Sequence, residues 1–566
     1  MPTLDVWPAR AQLRPGESLS VRVRSDGLRR LGLRCVDGGA VVSTATVPPL
    51  GDGIVTLPLP STIGRAGFAI ELIADDASGE RATSAIDVAP HWSAAPRYGF
   101  MSDFDPTETL AESTRRADQL LQLHINAVQF YDWMASHYEF FAPTETFTDP
   151  LGRQLSHAVV RRKVELVQAR GMAAIAYGAL YGAERDFALA HPDWLLYDGR
   201  RDPIALAGLF YLQDFSERSP WREHILGQYA EAIERLGFEG IHVDQYGMPK
   251  RALSRAGGAW RELDVGATFG PFVEAAARRV AELRPDGGTI FNCVNAWPLE
   301  AMAEVSADAA TYIEVWEPHS NYRNLYELVR RARLLRPDKA VILAAYLRPF
   351  HPDLERTAGA LTAFRLASAT IAASGGFHLI CGEGDGILTE AYYPRYGHLG
   401  ADALAIVRRY ADFAVRNTVR LHDPSGVDAA WTSVGPTNDV ITLAHPALDR
   451  YGAGAATDTL WVVARDAGSG TVLQFVNLRG LATDAWNAEQ PSPPRPLEGV
   501  EVRVRVCGDV GGVWWDTPDD EVGLARPLRY EVVNASDGRF LIFALPRIEV
   551  WSSVWWSLDG EGGDDA

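Results

Sequence analysis

Two acidic side chains at strand ends are the residues in this sequence best suited to chemistry. Gly240-Ile241-His242-Val243-Asp244 follows a helix end at Leu236-Gly237. Its β-branched Ile241 and Val243 alternate with polar His242 and Asp244, so Asp244 ends a short buried strand. A second segment, Thr311-Tyr312-Ile313-Glu314-Val315-Trp316-Glu317, puts Tyr312, Glu314 and Trp316 on one face. A facing pair of carboxyls, one ionised and one protonated, is what glycoside hydrolysis needs, with about 5 to 5.5 Å between them for retention and more for inversion. Asp244 suits the nucleophile because it is short and held on its strand. Glu314 suits the acid/base, since its longer arm reaches a glycosidic oxygen and Tyr312 and Trp316 would desolvate it. The plainer alternatives are a turn-capping role for Asp244 and Glu317 as a competitor for Glu314. Glu317 has the opposite strand parity and precedes Pro318.

Other polar and aromatic residues gather at predicted strand ends: Asp103, Tyr131, Asp132, Trp133, His137, Tyr177, Gln245, Asn292, Trp316 and Glu383, with Tyr181, Tyr246, Asn295, Tyr346 and Asp385 beside them. His242, two residues below Asp244, either orients that carboxylate or fills core. Aromatic faces stack on sugar rings, and carboxylates and amides bond paired hydroxyls, so the set suits a carbohydrate. No Lys ends a strand for a Schiff base, and neither GxSxG nor HExxH occurs. Cys35, Cys293, Cys381 and Cys507 have no metal spacing, and Glu383-Gly384-Asp385-Gly386 lacks the flanking ligands of a calcium loop. No metal and no cofactor is expected.

The elements that must carry these residues fall into three stretches. A length of 566 residues exceeds one core. Residues 1–92 show short alternating segments between Gly, Asp and Pro turns, and predict an immunoglobulin-like β-sandwich. Residues 93–420 alternate strands with amphipathic helices, the pattern of βα units. Strands are expected at 97–104, 126–133, 172–180, 240–246, 288–295, 309–316, 340–347 and 376–383. Eight such units predict a (β/α)8 TIM barrel, with a doubly wound open sheet as the alternative. The clearest helix starts with Ser219 and Pro220, aligns Trp221, Ile225, Tyr229 and Ile233, and stops at Gly237. Residues 421–558 return to alternation and predict a second β-sandwich, in which Trp514, Trp515, Trp551, Trp555 and Trp556 form core or interface in preference to a sugar platform. An acidic, Gly-rich tail at 559–566 is expected to be frayed. The fold class is thus multidomain, α/β in the centre and all-β at both ends.

A formal charge of −19 argues against nucleic acid as a partner. No apolar run of membrane-spanning length and no basic, then apolar, leader pattern is seen. Together with scattered thiols this gives a cytoplasmic expectation, or a secreted one if the sequence was trimmed before numbering, with no membrane partner and with a monomer and a homodimer both open.

Five blocks now stand in one order: Gln129-Phe130-Tyr131-Asp132-Trp133-Met134, Gly240-Ile241-His242-Val243-Asp244, Phe291-Asn292-Cys293-Val294-Asn295, Tyr312-Ile313-Glu314-Val315-Trp316, and Gly382-Glu383-Gly384-Asp385-Gly386-Ile387-Leu388 with Glu390-Ala391-Tyr392-Tyr393-Pro394. In this the chain resembles glycoside hydrolase family 66, the endo-dextranases and cycloisomaltooligosaccharide glucanotransferases. The resemblance implies a retaining enzyme for α-1,6-linked glucan with its nucleophile at Asp244 and its acid/base at Glu314. It also implies glucosyl subsites lined by Asp103, Tyr131, Asp132, Trp133, His137 and Asn292. Members are typically secreted and often carry sugar-binding modules, whereas no leader pattern opens this sequence. The expected substrates are therefore imported isomaltooligosaccharides, linear or cyclic. Transglycosylation is the alternative chemistry, and a glucan-binding protein without turnover the alternative class.

Overall fold

The computed structural model describes residues 4–558 except 61–63, 77, 356, 436 and 468–469, so the acidic tail lies outside the described residues. Five antiparallel strands come first: Leu4–Pro8, Leu19–Asp37, Ala40–Leu57, Ala66–Ala74 and Arg81–Val88. The long second strand serves two neighbours. Its first half pairs with Leu4–Pro8 and its second half with Ala66–Ala74, with register slips between them. Leu19, Val21, Val23, Leu31, Leu33 and Cys35 share one parity and are all buried, so a single apolar face runs through the slip.

Eight parallel strands form the centre: Tyr98–Met101, Ala127–Phe130, Ala173–Ala179, Gly240–Asp244, Gly288–Val294, Thr311–Glu314, Val341–Ala344 and Gly376–Leu379. Each lies inside the segment expected for it. Almost every residue in them is buried, as befits parallel strands covered on both faces. They pair in sequence order, and a bridge between Phe100 and Gly382 brings the last strand's extension back to the first. The result is a nearly closed barrel of the TIM type. Helices such as His157–Gln168, Val265–Leu283 and Tyr322–Leu335 separate the strands. The helix before the fourth strand spans Pro220–Leu236, with the Ser219 hydroxyl accepting from Trp221 N and Gly237 at φ 80° ending it.

Glu383 clasps this closure. Its Oε1 accepts from the backbone N–H groups of Ser102 and Asp103 at 2.9 and 2.8 Å. Its Oε2 meets Lys163 Nζ at 3.0 Å and Arg116 Nη1 at 3.1 Å. Burial works against the charged form, but Lys163 and Arg116 outweigh it and hold this carboxyl below the usual range. Asp103 joins the same network through Arg116 at 2.8 Å. A Glu383→Ala variant leaves the fully buried Lys163 with Glu108 as its remaining acidic partner, and is expected to cost about 3–5 kcal/mol at neutral pH. Because the folded carboxyl titrates low, its contribution exists above its unfolded value and fades as pH falls through the folded one. Urea unfolding of both proteins at pH 7, and again in acid where the gap should narrow, measures this.

Beyond the barrel, helix Ala401–Arg416 lies against the N-terminal strands Ala66–Ala74 and Arg81–Val88. A Cβ at Gly67 would sit 2.3 Å from the Val415 carbonyl oxygen, so the approach requires glycine. Arg416 makes two 2.8 Å bonds to buried Asp516, tying that helix to the C-terminal region. There, a seven-stranded sheet that includes Leu460–Ala467 and Trp551–Leu558 shares an apolar core with a four-stranded sheet that includes Val500–Arg505 and Gly538–Leu545. Four of the five clustered tryptophans are buried packing residues, and Trp514 is half-buried. Trp515 and Trp556 belong to that core, Trp551 meets Phe413 edge-on at 4.4 Å, and Arg420 lies 4.2 Å over Trp555. Among the described residues no helix is long and apolar enough to cross a membrane.

Candidate active site

A cavity of about 440 Å³ opens at the carboxyl ends of the barrel strands, the end where barrel loops converge. Asp244 is the last residue of the fourth strand and Glu314 the last of the sixth. The fifth strand runs between them, with Asn292 opposite Tyr312 and Val294 opposite Glu314. Register therefore puts Asn292 one inward step below the carboxyls, within reach of both. Its single amide nitrogen donates to Asp244 Oδ1 at 2.7 Å and to Glu314 Oε2 at 3.0 Å. The two oxygens cannot be further apart than those distances laid end to end. Their separation is therefore at most about 5.7 Å, short of the spacing that leaves room for an inverting enzyme's water.

Each carboxyl also has a tyrosine of its own. Tyr177, from the third strand, donates to Asp244 Oδ2 at 2.9 Å, and Tyr346, beyond the seventh, donates to Glu314 Oε1 at 2.9 Å. Burial first, and the neighbouring Glu314 second, push Asp244 up from 3.8 to about 7. Burial also raises Glu314, against donors from Asn292, Tyr346 and Trp316 that favour its ionised form. As a pair the two carboxyls hold one proton to a higher pH than isolated ones do.

His242 forms the floor. Burial lowers its pKa to about 3, so the ring is neutral, with Tyr98 Oη 3.2 Å from Nδ1 and Tyr312 edge-on at 4.7 Å. Tyr131 builds a wall, stacked on Tyr393 at 4.4 Å and inclined to Tyr177 at 4.9 Å. At the rim Trp316 is 42% exposed, a large aromatic face left to solvent. Asp132 sits at φ 45°, a left-handed conformation costly for a non-glycine residue. Arg153 Nη2 holds its carbonyl at 2.8 Å. His137 stacks on Phe210 at 4.3 Å and places Nε2 3.7 Å from Asp132 Oδ1. Burial disfavours the charged ring, but Asp132, Glu184 and Asp244 together raise its pKa.

Among the described residues, five buried polar atoms of the lining have no hydrogen-bond partner: Gln129 Oε1, His137 Nδ1, Tyr246 Oη, Asn292 Oδ1 and Asp132 Oδ1, which His137 approaches only to ion-pair distance. Leaving one such atom unsatisfied costs about 1–3 kcal/mol. A lining of this composition fits a ligand rich in hydroxyls.

Of the residues singled out in the sequence, Tyr131, Asp132, His137, Tyr177, His242, Gln245, Asn292 and Trp316 line this cavity with Asp244 and Glu314. Gln245 works mainly on the protein itself, bonding Asn292 O at 3.0 Å and accepting from Gly247 N at 2.6 Å. Tyr246 and Tyr346 line the cavity as well, whereas the others lie elsewhere: Tyr181 donates to Met248 O and Asn295 to Glu317 O, both at 2.7 Å, and Asp385 pairs with His398. Asp103 and Glu383 belong to the closure network. Trp133 is fully buried among Phe140, Phe141 and Phe238, its Nε1 on Tyr177 O at 3.1 Å, because the turn at Asp132 sends it outward. Glu317 is exposed and outside the cavity. Eight lining residues were not singled out, four of them polar or aromatic. Gln129 shares inward parity with Tyr131, and Tyr392 and Tyr393 stand in a quoted block, whereas Phe210 comes from a three-stranded insertion after the third strand with no periodic signal. Among the described residues no group of three or more His, Cys, Asp or Glu could hold a metal ion.

The family model for glycosyl hydrolase family 66 matches residues 52–555. The chain belongs to that family. A cycloisomaltooligosaccharide glucanotransferase of Niallia circulans is 28% identical over 60% of this chain and 38% of its own length, so the match spans well under half of that relative. A dextranase of Streptococcus salivarius is 21% identical over 86% of this chain and 67% of its own length. The solved cycloisomaltooligosaccharide glucanotransferase of Paenibacillus sp., complexed with cycloisomaltoheptaose, superposes with a TM-score of 0.86 at 21% identity, covering 97% of this chain and 99% of that one. At that identity the likeness shows the fold alone.

Proposed function

We propose that this protein is a retaining glycoside hydrolase that cleaves α-1,6-glucosidic linkages of isomaltooligosaccharides, linear or cyclic. The observation that supports the reading is the bridging amide of Asn292, which keeps one oxygen of each carboxyl within about 5.7 Å of the other, closer than inverting enzymes need. Asp244, fixed by Tyr177 and Asn292, attacks the anomeric carbon. The pair shares a proton, and attack requires the form in which it sits on Glu314, which delivers it to the departing glycosidic oxygen. Glu314 then takes a proton from water as that water displaces Asp244 from the sugar. Neutral His242 and the aromatic walls exclude other water, and the unpartnered atoms of Gln129, Asp132, His137 and Tyr246 bond the hydroxyls of the glucosyl unit being transferred. The α-1,6 specificity rests on family membership and on the names of the relatives. With it goes a reading of residues 1–92 and 421–558 as β-sandwiches flanking a catalytic unit at 93–420.

Chromatography of products from isomaltooligosaccharides, dextran and a cyclic isomaltooligosaccharide, with NMR of the first anomer released, tests the reading. Turnover of the short or cyclic substrates ahead of dextran, with the α-anomer first, is expected. Release of the β-anomer first, or no turnover of any α-1,6-glucan, contradicts it. Transfer to a sugar hydroxyl is the second reading, favoured by a cavity beside the catalytic one.

A further inference from the structure

A second cavity, of about 570 Å³, adjoins the catalytic one, and Trp316 and Tyr346 line both. It lies past the ends of the sixth and seventh strands, on the side of Glu314. Its outer wall comes from the C-terminal region. Trp486 Nε1 donates to His319 O at 2.7 Å, and Asn487 Oδ1 accepts from Arg348 N at 2.7 Å. Two backbone bonds, Trp486 N to Ser320 O at 3.2 Å and Tyr322 N to Asp484 O at 3.1 Å, fasten the same segment to the loop after the sixth strand. Inside, His351 and Glu390 face each other with Nε2 and Oε2 3.6 Å apart. An exposed tryptophan face beside such polar groups is a surface for a sugar ring.

The direction of the chemistry gives this cavity its role. The unpartnered atoms of Gln129, Asp132 and His137 stand at the second strand and the loop after it, so the glucosyl unit joined to Asp244 has its hydroxyls read there. Glu314, across the mouth, serves the oxygen that leaves or arrives, and the sugar bearing that oxygen must lie on the Glu314 side. We infer that the cavity walled by Trp486 and Asn487 and floored by His351 and Glu390 binds the leaving, and equally the accepting, α-1,6-glucan unit. The C-terminal region thereby sets how much glucosyl enzyme is captured by sugar in preference to water. In the transfer step the acceptor hydroxyl oxygen bonds to the anomeric carbon while its proton passes to Glu314. The bond from that carbon to Asp244 breaks, and its electron pair returns to the carboxylate.

This rests on the proposed function, and one set of assays separates the two. His351→Ala removes a polar contact, and Ala485→Trp fills the cavity from its outer wall without touching the catalytic one. α-Isomaltosyl fluoride needs no sugar on the leaving side, whereas isomaltotetraose does. In both variants kcat/KM for fluoride release should stay within about two-fold of the parent, while kcat/KM on isomaltotetraose, and transfer from the fluoride to added isomaltose, fall by about ten-fold or more. Isomaltotetraose cleavage and transfer at parental rates in either folded variant would overturn the assignment, as would a parallel fall in fluoride release. A parent protein that turns over neither substrate overturns the proposed function, and this assignment with it.

Discussion

Asp244→Asn and Glu314→Gln should each lower kcat on isomaltooligosaccharides by a factor on the order of 10⁴ or more, because each removes a group that bonds to or exchanges a proton with the reacting atoms. The two differ in how they fail. Glu314→Gln should still form the glycosyl enzyme from α-isomaltosyl fluoride, whose departure needs no acid, whereas Asp244→Asn should not react with it. Neither loss reflects unfolding, and stability moves the other way. The folded Asp244 carboxyl lies at about 7 against an ordinary 3.8. A group raised on folding contributes stability below its unfolded value and loses it as pH rises through the folded one. Asp244→Asn should therefore melt with the parent near pH 4 and above it at pH 8. A lower melting temperature at pH 8 would remove the claim that burial and Glu314 strain this carboxylate.

Replacing Asn292 should produce the next largest effect. Asn292→Leu keeps an approximate volume and deletes both bonds of the bridging nitrogen, of which the one to the ionised carboxylate is worth about 1.5–3 kcal/mol and the one to the protonated partner about 0.5–1.5, so kcat/KM should fall by about 10² or more. The same bonds favour the ionised carboxyls, so their loss raises the pH at which the pair gives up its protons. Both limbs of the pH profile of kcat/KM should then move to higher pH. Asn292→Asp is the contrasting variant, since a third acid beside two carboxyls deepens the loss. A normal rate with an unmoved profile in Asn292→Leu would reduce this residue to packing.

The strands were legible because parallel strands covered on both faces appear as short apolar runs between amphipathic helices, and the inward parity of Asp244 and Glu314 follows from counting along them. Beyond the last regular residue that counting fails. Trp133 continues the alternation on paper, yet the left-handed turn at Asp132 sends it away from the cavity. Glu383 has the chemistry of a sugar ligand but finds Lys163 and Arg116, which lie 220 and 267 residues earlier in the chain. No local pattern announces such a partner. Phe210 and the wall at Trp486 come from segments inserted or returning from outside the βα units, where periodicity says nothing about position. Asn292 was visible as a strand-end amide, whereas its place between two carboxyls depends on the register of three strands at once.

In the proposed mechanism Asp244 becomes covalently bound to the sugar. Incubation with an activated 2-deoxy-2-fluoro glucosyl donor, then proteolysis and mass spectrometry of the peptides, tests it most directly. One glycosyl adduct is expected, located on Asp244 and absent from Asp244→Asn. An adduct on another carboxylate, or an active enzyme that accumulates none, would contradict it.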